Sequence, residues 1–350
     1  MGRSVKPPGI GLAEGFVARE ITTSAGETRR YAVFLPPKYD PQKPWPLVVF
    51  LNGSGESGTD GVAQTRVGLG PFLVRHRATV PFVALFPQAR TWVRGLEARA
   101  TLEILDATML EFTLDADRVY LTGLSLGGFG AWELAMQRPD LFAAIVPICG
   151  GGPPEAARNL VHLPVWAFHG ARDDRVPVAL SRKVIDELKR LGAKPKYTEF
   201  PTLGHECWDA AYATRGLFPW LLKQRRPPPP AAIAILLDPA ANPVPTRVHW
   251  LRLDAVRPGA KRVIIRAAFT GPQEIRLVTR GVAGCTLLFD APTYQPLTGP
   301  DVRVIWNDRV AFDGPRQSEI PLAAPRGRSP AAEAEREPTP GAPAAPATAP

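Results

Sequence analysis

Residues 119–130 restrict the possible folds more tightly than any other segment of the chain. Their sequence is Val-Tyr-Leu-Thr-Gly-Leu-Ser-Leu-Gly-Gly-Phe-Gly, in which a β-prone run enters Gly-Leu-Ser-Leu-Gly and a helix-forming run leaves it. A serine in a tight turn between a strand and a helix needs almost side-chain-free residues two positions before and after it, because the backbone passes too closely there. The pattern therefore predicts a strand, a sharp turn at Ser125 and a helix.

Short β-rich runs alternate with helical patterns on both sides of this turn. The strand candidates are residues 15–21, 31–35, 47–51, 82–86, 119–122, 143–148, 165–168 and 196–200, and the helix candidates are residues 95–112, 126–137, 179–191 and 208–223. Such alternation is typical of βαβ units. Residues 47–51 are apolar throughout, as expected of a strand covered on both faces. We therefore predict an α/β fold in which helices flank a mostly parallel sheet.

Two changes of composition divide the rest of the chain. Residues 226–230 are a Pro-rich linker, and residues 325–350 hold 7 Pro and 8 Ala without an aromatic residue, which predicts a disordered tail. Between them, short β-branched or aromatic runs alternate with Gly, Pro, Asn and Asp. The prediction is an α/β domain at 1–225 and a small β-sandwich-like domain at 231–324.

Composition and charge exclude several classes of protein. The net charge of +9 divides into +5 over residues 1–225 and +4 over residues 226–350, without a basic run, so we expect no nucleic-acid partner. No apolar run is long enough for a membrane span, and no signal peptide is visible, so a cytoplasmic location is the default unless the true start lies upstream. The three cysteines, Cys149, Cys207 and Cys285, have no metal-type spacing. We expect neither a disulfide framework nor a zinc site, and no cofactor.

Ser125 is the candidate nucleophile, because its hydroxyl would project at a helix N-terminus, where developing negative charge is favoured. A serine alcohol needs a base, and that base needs an orienting acid. His205 lies in Thr-Leu-Gly-His-Glu-Cys-Trp, a loop after the last predicted α/β strand, where a base could reach the turn. Asp173 and Asp174 follow the strand predicted at 165–168. We choose Asp173 as the acid and leave Asp174 as a candidate cap of the next helix.

The other histidines after Ser125 are assigned structural or surface positions. We expect His169 to shape the loop that carries Asp173, and His162 and His249 to lie at the surface. The spacing of 48 residues between Ser125 and Asp173 leaves little chain for a helical lid, which predicts an open, shallow site.

Glycines after the strand at 47–51 predict a loop whose backbone N–H groups turn towards a substrate carbonyl. One donor would be the N–H of Ser54 or Gly55, and the other the N–H of Leu126. Three aromatic residues are candidates for substrate binding, as a wall beside the site: Trp92, Phe129 and Trp208.

Three motifs that occur in order resemble the α/β-hydrolase superfamily. They are residues 117–132, the His-Gly-x-x-Asp-x-x-Val-Pro sequence at 169–177, and Gly-His-x-x-Trp-x-x-Ala-Tyr at 204–212. More narrowly, residues 15–225 are similar to the phospholipase/carboxylesterase and feruloyl-esterase-like serine esterases. This resemblance implies a triad of Ser125, Asp173 and His205, and hydrolysis of short-chain or carbohydrate-linked esters, of the acetyl or feruloyl type, through an acyl-enzyme. The chain departs from the family at Asn52, where the family usually has a histidine that supports the loop.

Two alternative functions stay open at the level of sequence. One is a peptidase of the prolyl-oligopeptidase type, which would use the same triad behind an accessory domain. The other is a vestigial hydrolase whose C-terminal unit, which resembles β-modules appended to some bacterial esterases, binds carbohydrate or a partner. Trp250, Tyr294 and Trp306 would then be candidate sugar-stacking residues.

Overall fold

Eight strands of the first 200 residues form one sheet in the computed structural model, which describes residues 11–90, 96–239, 246–289 and 297–324. The strands are β1 (Phe16–Thr22), β2 (Thr28–Phe34), β3 (Trp45–Leu51), β4 (Val83–Pro87), β5 (Leu114–Leu124), β6 (Ala144–Ile148), β7 (Trp166–Gly170) and β8 (Lys196–Phe200). Their order is β1-β2-β4-β3-β5-β6-β7-β8, and all pairs from β4 to β8 are parallel. The predicted α/β fold with a mostly parallel sheet is confirmed. The tail predicted at 325–350 lies outside the described residues.

Six α-helices accompany this sheet among the described residues. They are α1 (Leu69–His76), α2 (Leu96–Glu111), α3 (Leu126–Gln137), α4 (Ala179–Arg190), α5 (Trp208–Tyr212) and α6 (Leu217–Lys223). The single helix predicted at 208–223 is wrong, because Gly216 adopts a φ of 89° that no regular helix accommodates and divides the segment. None of the helices in the described part of the chain is long and apolar enough to cross a membrane.

The alternation of side chains along the central strands builds a core on each face of the sheet. Leu47 and Val49 of β3 join one buried cluster, and Val48 and Phe50 of the same strand join the other. Residues of α2, α3 and α4 cover the first face, and residues of α1, α5 and α6 cover the second. Both faces of β3 are therefore apolar, which explains why its sequence shows no polar alternation.

The described residues from 231 to 324 form strands and no helix. The strands are β9 (Ala232–Leu237), β10 (Thr246–Val248), β11 (Leu251–Val256), β12 (Val263–Phe269), β13 (Glu274–Arg280), β14 (Val282–Leu288), β15 (Asp301–Trp306), β16 (Arg309–Pro315) and β17 (Glu319–Ala323). They form two sheets, β10-β11-β14-β17 and β16-β15-β13-β12-β9, that share one buried cluster. The small all-β C-terminal unit is confirmed. Its boundaries as an independent domain at 231–324, and the linker role of 226–230, stay predictions.

Asn159 joins the two units at the edge strand β9. This buried residue lies in the 3-10 helix Pro154–Leu160, and its amide Nδ2 donates to Met136 O at 2.8 Å and to Leu236 O at 2.9 Å. Its Oδ1 accepts the backbone N–H of Leu236 at 3.0 Å. One side chain thus satisfies the N–H and the C=O of Leu236, an edge-strand residue whose register partner on β12 is Ile264.

The expectation that His249 lies at the surface is wrong. His249 is only 9% exposed, and its backbone φ is 52°. Burial lowers its imidazole pKa to about 4, although the carboxylate of Asp140 in the α/β unit opposes this effect. The residue therefore packs uncharged towards the α/β unit.

We predict that Asn159→Ala destabilises the protein. The substitution removes three hydrogen bonds and leaves the N–H and the C=O of Leu236 without the partners that Asn159 provides. The free energy of unfolding should therefore fall by about 2–4 kcal/mol. Urea denaturation followed by tryptophan fluorescence measures the change. Glu155→Ala is the matched control, because it removes only an exposed 4.0 Å ion pair with Arg262 and should cost less than about 0.5 kcal/mol. Equal costs for the two variants would contradict the joining role of Asn159.

Candidate active site

Ser125 occupies a strained turn between β5 and α3. Its φ is 53°, a left-handed value that is rare for a residue with a side chain, and its N–H donates to Ile148 O at 3.0 Å. A Cβ on Gly123 would lie 2.2 Å from Gly127 O, and one on Gly127 would lie 2.0 Å from Leu51 O. Glycine is therefore required at both flanking positions, as the sequence pattern predicts.

The side chains of Ser125, His205 and Asp173 form one chain of hydrogen bonds. The Nε2 atom of His205 lies 2.9 Å from the Oγ of Ser125, and its Nδ1 lies 2.8 Å from Oδ2 of Asp173. The side chain of His205 is 7% exposed and that of Asp173 is inaccessible to solvent. With Nδ1–H donated to the carboxylate, Nε2 is left to accept the proton of the serine hydroxyl.

The surroundings of Asp173 keep its carboxyl group ionised. Burial raises the pKa of this group, but the hydrogen bond from His205 and the backbone N–H groups of Val176 and Arg175 outweigh burial and hold the pKa below its usual value. The two backbone bonds to Oδ1 measure 2.8 and 3.0 Å. Asp174 is exposed and caps no helix: the residue preceding α4 is Val178, and no side chain caps this helix.

A second histidine touches the same carboxylate from the other side. His169 Nε2 lies 3.1 Å from Oδ2 of Asp173 and 3.0 Å from Val176 O, while its Nδ1 lies 2.8 Å from the Oγ of Ser181. Burial lowers the pKa of His169, so the ring is neutral and shapes the loop, as the sequence predicts.

Ser125 and His205 line a cavity of about 390 Å³. Its other lining residues are Gly53, Ser54, Gly55, Glu56, Arg66, Val67, Gly68, Pro71, Leu124, Arg175, Glu206, Trp208 and Asp209. Trp208 stands edge-on to the ring of His205, with centroids 5.8 Å apart. None of the described residues of the C-terminal unit lines this cavity.

The predicted aromatic wall is only partly present. Phe129, one helical turn past Ser125, lines a different cavity of about 480 Å³, which α3 forms with the 151–153 loop and the C-terminal residues Leu236 and Lys261. Trp208 therefore lines the Ser125 cavity without Phe129, because α3 carries the phenyl ring towards the C-terminal unit. Trp92 lies outside the described residues.

Comparisons with known proteins find esterases. The family model described as "Putative esterase" matches residues 22–191. Feruloyl esterase D of Neurospora crassa is 26% identical over 196 residues, which are 52% of this chain and 68% of that protein. The bifunctional acetylxylan esterase/xylanase XynS20E of Neocallimastix patriciarum is 28% identical over 99 residues, which are 27% of this chain and 15% of that protein.

A solved structure, of a thermostable esterase, is 32% identical to this chain, with a TM-score of 0.56 over 61% of this chain and 64% of that one. The α/β unit has an α/β-hydrolase fold, and its sequence is similar to that of esterases. The whole chain spans 15% to 68% of the length of the curated relatives named above.

Asn52 supports the loop before Ser54, at the position where the chain departs from the α/β-hydrolase pattern. Asn52 is 2% exposed. Its Oδ1 accepts the N–H of Ala89 at 3.0 Å, and its Nδ2 donates to Gly53 O at 2.7 Å. The amide thus links the loop after β3 to the segment after β4.

Sequence reasoning missed Gln88, which holds the same loop. Gln88 Oε1 accepts the N–H of Gly61 at 2.7 Å, and its Nε2 donates to Glu56 O at 3.0 Å and to the carboxylate of Asp60 at 2.9 Å. The available signal was a glutamine directly after an apolar strand, at the sheet edge where loops meet.

We predict that Asp173→Asn destabilises the protein in a pH-dependent way that Asp174→Asn does not share. A carboxyl group with a depressed folded-state pKa contributes stability above its unfolded pKa and loses it as the pH falls through the folded value. The free energy of unfolding of Asp173→Asn should therefore be about 1–3 kcal/mol lower than that of the wild type at pH 7. This difference should shrink as the pH falls below about 4.

Urea denaturation at a series of pH values between 3 and 7 measures this difference. Asp174→Asn should stay within about 0.5 kcal/mol of the wild type at every pH, since Asp174 is exposed. A deficit for Asp173→Asn that does not change with pH would contradict the depressed pKa.

Proposed function

We propose that the protein is a carboxylic ester hydrolase that works through an acyl-enzyme on Ser125. The observation that carries the proposal is the continuous hydrogen-bond chain from the Ser125 hydroxyl through His205 to Asp173, at 2.9 and 2.8 Å. The acid and the base come from two different loops, and a surface histidine or aspartate without a role in the reaction would not need this arrangement.

The reaction follows from the roles of these three groups. As the Oγ of Ser125 attacks the ester carbonyl, His205 Nε2 accepts the hydroxyl proton, and the ionised Asp173 stabilises the resulting imidazolium. The tetrahedral intermediate collapses and the departing alcohol takes the proton from His205. Water then attacks the acyl-enzyme with His205 as the base, and the carboxylic acid product is released from Ser125.

The oxyanion of the intermediate needs two N–H donors near Ser125. Leu126 is the first residue of α3, so its N–H has no acceptor within the helix. Ser54 and Gly55 begin a short 3-10 turn beside Ser125 in the same cavity. We assign the N–H of Leu126 and the N–H of Ser54 or Gly55 to this role.

The surroundings of the cavity favour esters over peptides. A peptidase of the prolyl-oligopeptidase type restricts access with an accessory domain, whereas no described residue after Asp209 lines the cavity of Ser125. Between Ser125 and Asp173, the only helices are α3 and the short 3-10 helix Pro154–Leu160. Substrates would then be short-chain esters or acyl groups that project from a carbohydrate, in line with the feruloyl and acetylxylan esterases among the relatives.

The described aromatic residues of the C-terminal unit give no support to the sugar-stacking alternative. Trp306 is fully buried and Trp250 is 4% exposed, so both indoles belong to the core between the two sheets. Tyr294 lies outside the described residues.

We predict that Ser125→Ala and His205→Asn each lower kcat for p-nitrophenyl acetate by at least about 1,000-fold. A fluorophosphonate probe should label the wild type at Ser125 and leave Ser125→Ala unlabelled. His162→Asn is the matched control, because His162 is exposed and outside the cavity, and its kcat should stay within about twofold of the wild type. Wild-type turnover by Ser125→Ala would refute the assignment.

We also predict a preference for short or single-ring acyl groups. The lining of the cavity includes the charged residues Glu56, Arg66, Arg175, Glu206 and Asp209, so a long alkyl chain would lie against charged side chains. We therefore expect kcat/KM for acetyl, butyryl and feruloyl esters to exceed that for a dodecanoyl ester by at least about tenfold. A series of p-nitrophenyl and methyl esters, with a peptide anilide beside it, measures the preference. Rates that rise with chain length, or faster cleavage of the anilide, would contradict the proposed substrate class.

A further inference from the structure

Two buried cysteines that the proposed reaction does not use lie behind His205. Cys149 directly follows β6, and Cys207 lies two residues after His205. Although they are 58 positions apart in the sequence, their Sγ atoms are 3.0 Å apart, and both residues are inaccessible to solvent. The remaining cysteine, Cys285, is buried in the core of the C-terminal unit.

Both cysteines hold the same backbone carbonyl, that of His205. The Sγ of Cys149 donates to His205 O at 3.0 Å, and the backbone N–H of Cys207 donates to the same oxygen at 2.9 Å. The backbone of the loop that carries His205 is therefore hydrogen-bonded to both cysteine residues.

Cys149 is itself fixed to the sheet edge that holds Ser125. Its N–H donates to Phe168 O at 2.9 Å, and the preceding carbonyl, that of Ile148, accepts the N–H of Ser125. Its φ of 49° is a left-handed value that directs the chain away from β6 at this point. A covalent link from Cys149 to Cys207 would therefore join the loop of His205 to the element that positions Ser125.

We propose that Cys149 and Cys207 form a disulfide that tethers the His205 loop to the sheet edge. A disulfide needs sulfur atoms about 2.05 Å apart, so the pair has only about 1 Å to close. The idea that this tether holds a catalytic base in place rests on the proposed function, whereas the formation of the bond does not.

The oxidant is a low-molecular-weight disulfide, such as oxidised glutathione. The thiolate of one cysteine attacks it, forms a mixed disulfide and releases one small thiol. The thiolate of the other cysteine then attacks the protein sulfur of that mixed disulfide, forms the Cys149–Cys207 bond and releases the second small thiol. Two cysteine thiols are oxidised, one small disulfide is reduced to two thiols, and the two protons from the cysteines end on them.

The burial of the pair determines when the exchange is fast. The hydrogen bond with Cys149 and burial both raise the pKa of the Cys207 thiol, so little thiolate exists in the folded protein. We therefore expect slow oxidation of the native protein and fast oxidation during refolding, before the sulfur atoms are covered.

The test uses the full-length protein, refolded either with dithiothreitol or with oxidised and reduced glutathione. After denaturation and alkylation, the dithiothreitol sample should carry three alkyl groups, one on each cysteine. The glutathione sample should carry one, on Cys285, and its peptide map should contain a 149–207 crosslink. Three alkyl groups in both samples, a stable glutathione adduct, or a crosslink to Cys285 would overturn the proposal.

The tether itself is tested by comparing stability in the two redox forms. Oxidation should raise the Tm of the wild type by about 5 to 15 °C and slow hydrogen exchange of the amides at 203–207 by at least about tenfold. Cys285→Ala should keep the shift, and Cys207→Ala should lose it. A crosslinked wild type with an unchanged Tm would overturn the tethering role. Neither readout involves ester hydrolysis, so failure of the proposed function would leave this test intact.

Discussion

The close approach of helix α3 to the carboxyl ends of its neighbouring strands is the constraint on which the site depends. A Cβ on Gly127 would lie 2.0 Å from Leu51 O, and one on Gly128 would lie 2.3 Å from Ile148 O. The helix can begin this close to β3 and β6 only because these positions have no side chain. That approach forces Ser125 into a left-handed conformation, which aims its hydroxyl out of the sheet edge rather than into the core.

The electrostatic arrangement distinguishes two histidines that bond one carboxylate. His169 and His205 both lie within about 3 Å of Oδ2 of Asp173. The remaining ring nitrogen of His169 is engaged by Ser181, while that of His205 faces Ser125. Because backbone N–H groups stabilise Asp173 as an anion, it can orient the reactive imidazole without taking its proton. The proposal that His205 is the base rests on what each second nitrogen contacts.

Local sequence signals predicted the parts of the fold that local sterics decide. The strand and helix around Ser125 have their predicted character, and α3 has its predicted bounds of 126–137, because glycine spacing and helix-forming residues act within a few positions. The helix α1 was missed because Gly70 and Pro71 weaken its pattern, and a Cβ on Gly70 would lie 1.9 Å from Thr65 O. That glycine is needed for a close approach to a carbonyl five positions earlier, which helical periodicity does not record.

Contacts between distant segments account for the rest of what sequence reasoning could not predict. His249 lies in a β-rich stretch whose pattern resembles an exposed turn, yet the α/β unit buries it. Phe129 follows Ser125 by one turn, but the packing of the C-terminal unit determines which cavity it lines.

The proximity of Cys149 and Cys207 is also a contact between distant segments that the sequence pattern does not reveal. In the sequence, spacing of two to four residues is the usual sign that cysteines act together, and Cys149 and Cys207 are 58 positions apart. In a parallel sheet, however, every carboxyl end comes to the same edge, so the loop after β8 can reach past β7 to the residue after β6 whatever their separation in the chain. The edge that brings Ser125, Asp173 and His205 together from three loops therefore also brings two thiols together, one from the loop of His205 and one from the residue that follows β6. Chemical groups on these loops are better judged by the strand they follow than by their distance along the sequence.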